Sequence, residues 1–424
     1  MGIIVLNNVI LGAGIAGLSA AYHLRSRGSS SVVFEKDNDW GGLCGFFVID
    51  GFRFDRFVHF TFPEDEYIKN IFEKSSPTFS HPSVSSNYYH GVWLKHPAQN
   101  NLAPLSADEK AKIISDFVNR PQKDIKDIKD YETWLRVQYG NYFAENFPLI
   151  YTNKYWGVDA QDMETQWVGS RMYSPDLNQV LRGAFETQSE NFYYTKFMRY
   201  PRIGGFRSIL NSVRQGTDIR LNHRAVKIIP EQKKVIFENG EQVEYKRLIS
   251  TLPLPEIVKI IDNVPENVRI AADKLHWTCG YMISLGFNRK DIPKYLWFYI
   301  YDKDVPAARV YSPSLKSPEN VPDGKSSIQA EVFWDCKTAA PDKQKTLIDT
   351  IEKLKKICGF EEKDIIIKDI RYEPYANVTF TKNTRNDRQI ILDWLKSLGI
   401  DSIGRFGKWD YLWSHQAFQS GREI

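Results

Sequence analysis

Val9-Ile10-Leu11-Gly12-Ala13-Gly14-Ile15-Ala16-Gly17-Leu18 decides how the chain folds. A short apolar run ends in Gly-x-Gly-x-x-Gly, and an amphipathic pattern follows. This predicts a strand, a tight turn and a helix, the unit that holds the pyrophosphate of a dinucleotide. Gly12 allows the turn, Gly14 lets phosphate approach the backbone, and Gly17 lets the helix lie close on the strand. The N–H groups of Ile15 and Ala16 then face the phosphate at the helix N-terminus. The helix is expected over 15–24, and Ser31-Val32-Val33-Phe34 reads as a second strand ending in Glu35. An acid roughly twenty residues after the glycines hydrogen-bonds the ribose of an adenine dinucleotide. Lys36 beside it is a further candidate contact. Alone the glycine pattern is weak; the complete strand–turn–helix–strand–acid unit makes it specific.

The remaining composition is that of an ordinary globular protein. The chain has 424 residues, 42% hydrophobic and 25% charged, with a net charge of +4. That length allows two or three domains. The basic excess is mild and scattered, which excludes a nucleic-acid-binding tail and suits an anionic small substrate. Cys44, Cys279, Cys336 and Cys358 form no C-x-x-C pair, so neither a zinc site nor a disulfide framework is expected. No apolar stretch reaches membrane-spanning length. The N-terminal apolar run leads straight into the glycine motif and is expected to be the first strand, in a cytoplasmic protein.

Further along, Trp40-Gly41-Gly42-Leu43-Cys44-Gly45 brings a second glycine pair, expected against the same cofactor. Asp50-Gly51 between apolar runs signals a hairpin. His59 is the first titratable residue with a candidate chemical role; Cys44 reads as packing. Helical spacing marks 64–74, 107–119 and 130–147, with Ser106 and Glu109 as a capping box, and 206–213 after Gly204-Gly205. Residues 88–93 read as one strand. Short strands follow at 218–221, Ala225–Ile229, Lys234–Phe237, 243–245 and 247–251. The stretch 277–334 reads as a largely antiparallel sheet. Helices are expected at Lys343–Cys358 and 388–398, and a strand at 364–372.

The opening unit, Trp40-Gly41-Gly42, Thr251-Leu252-Pro253 and the terminal Gly404-Arg405-Phe406-Gly407 together resemble the FAD-binding domain of the amine oxidase and protoporphyrinogen oxidase superfamily. The late return of the chain to the cofactor favours FAD over NAD. The middle is most similar to the UDP-galactopyranose mutase family. The blocks that carry this are Trp156-Gly157, Trp167-Val168-Gly169-Ser170-Arg171, Trp297-Phe298-Tyr299 with Arg309, Tyr375, and Gly404-Arg405-Phe406-Gly407-Lys408-Trp409-Asp410-Tyr411. The resemblance implies an α/β fold. A discontinuous Rossmann-type FAD-binding domain (1–62, 200–275 and 376–424) is interleaved with a mainly helical substrate domain (63–199) and an antiparallel-sheet substrate domain (276–375).

The resemblance further implies that reduced FAD supplies the nucleophile for the anomeric carbon of a nucleotide-diphosphate sugar, without net redox change. Arg171 and Arg309 would hold the departing diphosphate, since guanidinium forks onto phosphate oxygens and stays charged. Trp156, Trp167, Trp297, Tyr299, Tyr375 and Tyr411 would line the substrate site. His59, Val226, Gly404, Arg405, Tyr411 and Gln416 would join the glycines, Glu35, Lys36 and Leu43 at the cofactor. No metal is implied, and a homo-oligomer is left open.

This chain departs from the family at Phe57 and Val58, which stand where the family has two glycines before its histidine, and at His415, which stands in place of an amide. The alternatives are a flavin oxidase or desaturase of the same superfamily, which needs no paired arginines, and a flavin-fold binding protein without chemistry.

Overall fold

The structure, a computed structural model, describes residues 4–192 and 195–424. The opening stretch forms the strand Ile4–Leu11, a turn and the helix Ile15–Ser26. Ile4–Leu11 lies parallel between Ser31–Phe34 and Gln242–Ser250. Asp218–Arg220 extends this sheet beyond Ser31–Phe34, and Ile400–Ser402 pairs parallel to Gln242–Ser250. The antiparallel pair Ala225–Ile229 and Lys234–Phe237 completes seven strands. Val9, Ile10 and Leu11 are buried, as expected for a parallel strand covered on both faces.

A second seven-stranded sheet runs in the order Ile365–Thr379, His276–Phe287, Ser326–Asp335, Arg309–Tyr311, Trp297–Ile300, Ser86–Tyr89, Val92–Lys95. It is antiparallel except where Trp297–Ile300 meets Ser86–Tyr89. Successive strand residues face opposite ways. Ile328, Ala330, Val332 and Trp334 therefore join Ile283, Leu285 and the helix Lys343–Cys358 in one core, whereas Phe333 joins another with Met282, Tyr155 and Trp156. The side chains of Glu331, Arg309 and Tyr299 share the parity of Phe333. This alternation aims them at the site.

Several expectations are corrected. The helix read over 130–147 is two, Tyr131–Tyr139 and Asn141–Asn146. Gly140 breaks it at φ 82°, where a Cβ would stand 2.9 Å from the Asp116 carbonyl. Residues 88–93 are a hairpin, because His90 and Gly91 both take positive φ, 47° and 84°. The stretch 206–213 is a 3₁₀ turn followed by a short helix. The strands 243–245 and 247–251 are one, Gln242–Ser250. The strand read at 364–372 runs on to Thr379 through Pro374, which an edge strand with a register shift tolerates. The Asp50-Gly51 hairpin and the Ser106–Glu109 capping box form as read.

Candidate active site

The first and last parts of the chain close on each other around the glycine motif. A Cβ on Gly17 would stand 2.0 Å from the Gly12 carbonyl oxygen, so the helix lies directly on the turn. Gly14 is the opposite case: its Cβ would meet nothing within 4 Å. Gly41 donates its N–H to the Ala13 oxygen at 2.9 Å, and Gly42 lies against Gly14. The Glu35 carboxylate is buried at the end of its strand and accepts from the N–H of Ala13 (2.8 Å) and of Asp37 (3.1 Å). From the other end of the chain, Gly404 N–H donates to Ser420 Oγ at 3.0 Å, Ser19 Oγ donates to the Phe418 carbonyl at 2.6 Å, and the Cβ that Gly404 lacks would stand 2.8 Å from Ala16 Cβ. Burial pushes the Cys44 thiol up to about 12, so it stays protonated.

From this cradle one cavity of about 1290 Å³ runs into the helical and sheet regions. Gly12, Gly14, Ile15, Ala16, Glu35, Lys36, Gly41, Gly42, Leu43, His59, Gly404 and Arg405 line it. So do Trp156, Trp167, Arg171, Trp297, Tyr299, Arg309, Tyr375 and Tyr411. Three sequence candidates do not. Gly17 is consumed by packing. Val226 sits at the register shift between Ala225 and Lys227, is 40% exposed, and leaves the cavity wall to Ala225. Gln416 turns back to accept from Trp413 N–H at 2.9 Å, and Ser414 and Ala417 line the wall instead.

Arg171 ends a short 3₁₀ turn, Gly169–Arg171. It donates to the carbonyls of Trp167 (3.0 Å) and Tyr411 (2.8 Å), with the Tyr411 and Trp413 rings each 4.8 Å from its guanidinium carbon. Its Nε and the Trp167 Nε1 are buried with no hydrogen-bond partner among the described residues. Buried donors left unpaired are costly; two of them on one cavity wall fit an anionic or acceptor-rich ligand.

Arg309 reaches the cavity from the sheet, donates Nε to Glu331 Oε2 at 2.6 Å and holds Nη2 in ion-pair contact with the same oxygen at 2.5 Å. Burial disfavours its charge, but Glu331 and the facing tyrosines hold it well above its ordinary value. The Tyr155 and Tyr411 hydroxyls are 3.3 Å apart; Tyr155 and Arg405 also donate to Asn377 Oδ1 at 3.3 and 3.2 Å. The Tyr375 hydroxyl is taken by Glu256 at 2.8 Å and its ring stacks on Trp277.

His59 stacks on Phe206 with ring centroids 4.9 Å apart, and burial lowers it to about 4, so it is neutral at pH 7. Phe57 takes φ 63°, the left-handed region its glycine counterpart would enter freely. Its ring seats against Phe333 and over Gly280, whose missing Cβ would lie 2.9 Å from Phe57 Cζ. The bulk at position 57 is thus absorbed beside the sheet. His415 packs on Phe62 (5.1 Å) and Trp413 (5.8 Å) and does not line the cavity. Sequence reasoning missed Tyr155, Asn377 and Glu331. Tyr155 stood beside the noted Trp156; the other two become visible only through strand register.

A dinucleotide cradle sealed by the chain's own C-terminal part and opening into a buried aromatic cavity is the arrangement of a flavin-dependent enzyme. The model of the family described as flavin containing amine oxidoreductase matches residues 15–406, and the chain belongs to that family. A crystal structure of reduced UDP-galactopyranose mutase superposes with a TM-score of 0.91 at 24% identity, covering 99% of this chain and 94% of that one. Putrescine oxidase bound to putrescine superposes with a TM-score of 0.67 at 16% identity, covering 99% and 98%. These likenesses establish the α/β, mutase-like fold. A 4,4'-diapophytoene desaturase of Staphylococcus haemolyticus (strain JCSC1435) is 39% identical over 70 residues, 16% of this chain and 14% of that relative's length. None of the described helices is long and apolar enough to cross a membrane.

Proposed function

We propose that the protein is a FAD-dependent nucleotide-sugar mutase that interconverts the pyranose and furanose forms of a UDP-sugar with its flavin reduced. The observation that carries this reading is that Arg171 and Arg309 line the same cavity as the dinucleotide cradle. The likeness to reduced UDP-galactopyranose mutase supports it.

Bound reduced flavin supplies the electron pair that the anomeric carbon accepts. The chain's residues manage the charge that departs with the diphosphate. Arg309 offers a guanidinium whose charge Glu331 stabilises, and Arg171 offers a buried Nε–H without a partner among the described residues. Charge stabilisation of this kind contributes about 3–4 kcal/mol per donor at a transition state. Tyr155 and Tyr411 can turn their hydroxyls to the same oxygens, and the aromatic walls exclude water. Neutral His59, on the cavity wall, would contact the cofactor and does not shuttle a proton at pH 7.

The test is incubation of dithionite-reduced protein with UDP-galactofuranose and UDP-galactopyranose. Interconversion that stops on reoxidation is the expected result. No interconversion of these or other nucleotide pyranose/furanose pairs refutes the reading. The desaturase relative favours a second reading, an oxidase or desaturase acting on an amine or large apolar substrate. Rapid anaerobic flavin reduction by such a substrate, unaffected by Arg309→Ala, would establish it in place of the first.

A further inference from the structure

We propose that Glu331 is a positioning residue whose single carboxylate ties the turn Phe57–Val58–His59 to Arg309, so that the wall at the cofactor and the anion site are held as one unit. The proposal rests on the reading of Arg309 as a diphosphate-binding residue.

Glu331 is fully buried at the centre of the strand Ser326–Asp335. One oxygen, Oε2, accepts the Arg309 Nε–H and ion-pairs with Nη2; the other, Oε1, accepts the Val58 N–H at 2.7 Å. Register makes this possible: Arg309 and Met282 are the neighbours of Glu331 on the two flanking strands. Met282 in turn accepts the Phe57 N–H at its sulfur, 3.3 Å away. Two successive N–H groups of the turn are thus held by two successive strands of the sheet. The carbonyl of Phe57 meets His59 Nδ1 at 3.3 Å, which carries the restraint on to the imidazole.

The turn needs this hold. A bulky residue at φ 63° is strained and persists only where its surroundings over-determine it. The Phe57 ring in its niche over Gly280 supplies one restraint and the two N–H bonds supply the others. Arg309 is fixed from the same carboxylate by the hydrogen bond from Nε and by the ion pair at Nη2. Chemically, both ties require an anion with two acceptor oxygens. Glutamine has one acceptor and one donor end. Whichever way its amide turns, its NH₂ must face either the Val58 N–H or Arg309, and one tie breaks.

The experiment uses the flavin-loaded protein in four forms: wild type, Glu331→Leu, Arg309→Met and the double variant; leucine offers an acceptor to neither Val58 nor Arg309. UDP affinity is measured by calorimetry and the turn is followed by the visible flavin band. Glu331→Leu is expected to weaken UDP binding about tenfold when Arg309 is present, and by less than about twofold in the Arg309→Met background, because its effect on the anion passes through Arg309. The flavin band is expected to shift on Glu331→Leu in both backgrounds, because the Val58 N–H loses its acceptor whether or not Arg309 is present. Equal losses of UDP affinity in the two backgrounds overturn the proposal, as does an unmoved flavin band. A single variant that unfolds does not block the test. The double variant removes both members of the buried pair, which is better tolerated than removing one, and its band is compared with that of Arg309→Met. Wild-type protein that binds no UDP refutes the functional reading together with this proposal, an outcome distinct from UDP binding with equal losses.

Discussion

Two substitutions three residues apart separate the folding role of the glycine motif from its binding role. Gly14 has φ −77° and ψ −178°, open to any residue, and its Cβ would meet no atom within 4 Å. Gly14→Ala gains a little from a less flexible unfolded chain and loses a little as a helix cap. Stability of the apoprotein should therefore stay within about 1 kcal/mol of wild type. The methyl nevertheless stands in the cavity beside the helix N-terminus. A phosphate oxygen bonded to N–H needs about 2.7–2.9 Å, whereas carbon contacts settle at about 3.5–4.0 Å. Losing one charge-assisted bond costs about 1.5–3 kcal/mol, so flavin affinity should fall by roughly 10- to 100-fold.

Gly17→Ala behaves in the reverse order. Its Cβ would lie 2.0 Å from the Gly12 oxygen, 3.2 Å from the Gly12 carbonyl carbon and 3.3 Å from Ile10 Cγ2. Two of those three atoms are backbone, so no rotamer relieves the clash and the helix must lift from the sheet. That places the cost near the top of the usual overpacking range, about 3 kcal/mol, in the apoprotein itself. Thermal melts of flavin-stripped protein and fluorescence titration with FAD measure the two quantities. Gly14→Ala that binds FAD like wild type, or a Gly17→Ala apoprotein that melts like wild type, refutes the reasoning.

Three further outcomes are expected. Gly280→Ala should lower the melting temperature, because its methyl would lie 2.9 Å from Phe57 Cζ and 3.0 Å from Phe333, a cost of about 1–3 kcal/mol that Phe57→Leu recovers in part. Lys316 and Asp55 form a fully buried pair at 2.5 Å; Asp55 also accepts from Tyr200 Oη and Phe206 N–H, and the Tyr200 and Tyr311 rings lie 4.3 and 4.5 Å from the ammonium. Lys316→Met alone should cost about 3–5 kcal/mol in denaturant unfolding, and Lys316→Met with Asp55→Asn markedly less. Burial holds His59 and His96 near 4, below the ordinary 6.5. The unfolded chain then binds more protons across that window, so their contribution is full above pH 6.5 and is lost as pH falls toward 4. Each accounts for up to about 3 kcal/mol. Melting temperatures of the apoprotein should fall over that range, less steeply in His59→Gln.

The features legible in the chain alone were those that local chemistry dictates. The glycine motif, the acid ending the second strand, the Asp50-Gly51 hairpin, the Ser106–Glu109 cap and the helix Lys343–Cys358 each depend on residues a few positions apart. Resemblance of short blocks extended this to the family. The errors at Gly140 and at Pro374 share a cause: periodicity within a window cannot report a break that a distant segment imposes or an edge position that tolerates a proline; at His90-Gly91 the apolar run on both sides masked a local two-residue turn.

The site divides along the same line. The resemblance of short blocks to the mutase family proposed the two arginines and most of the aromatic wall as site residues. Sequence could not say that Arg309 is held by Glu331, that Glu331 also holds Val58, or that Phe57 keeps a glycine's conformation over Gly280. Those facts follow from the register of strands distant in the chain, which brings alternate side chains of each to one face. Local sequence determines which elements form and which chemical groups they carry. Which of those groups meet, and with what charge beside them, is decided only when the sheet closes.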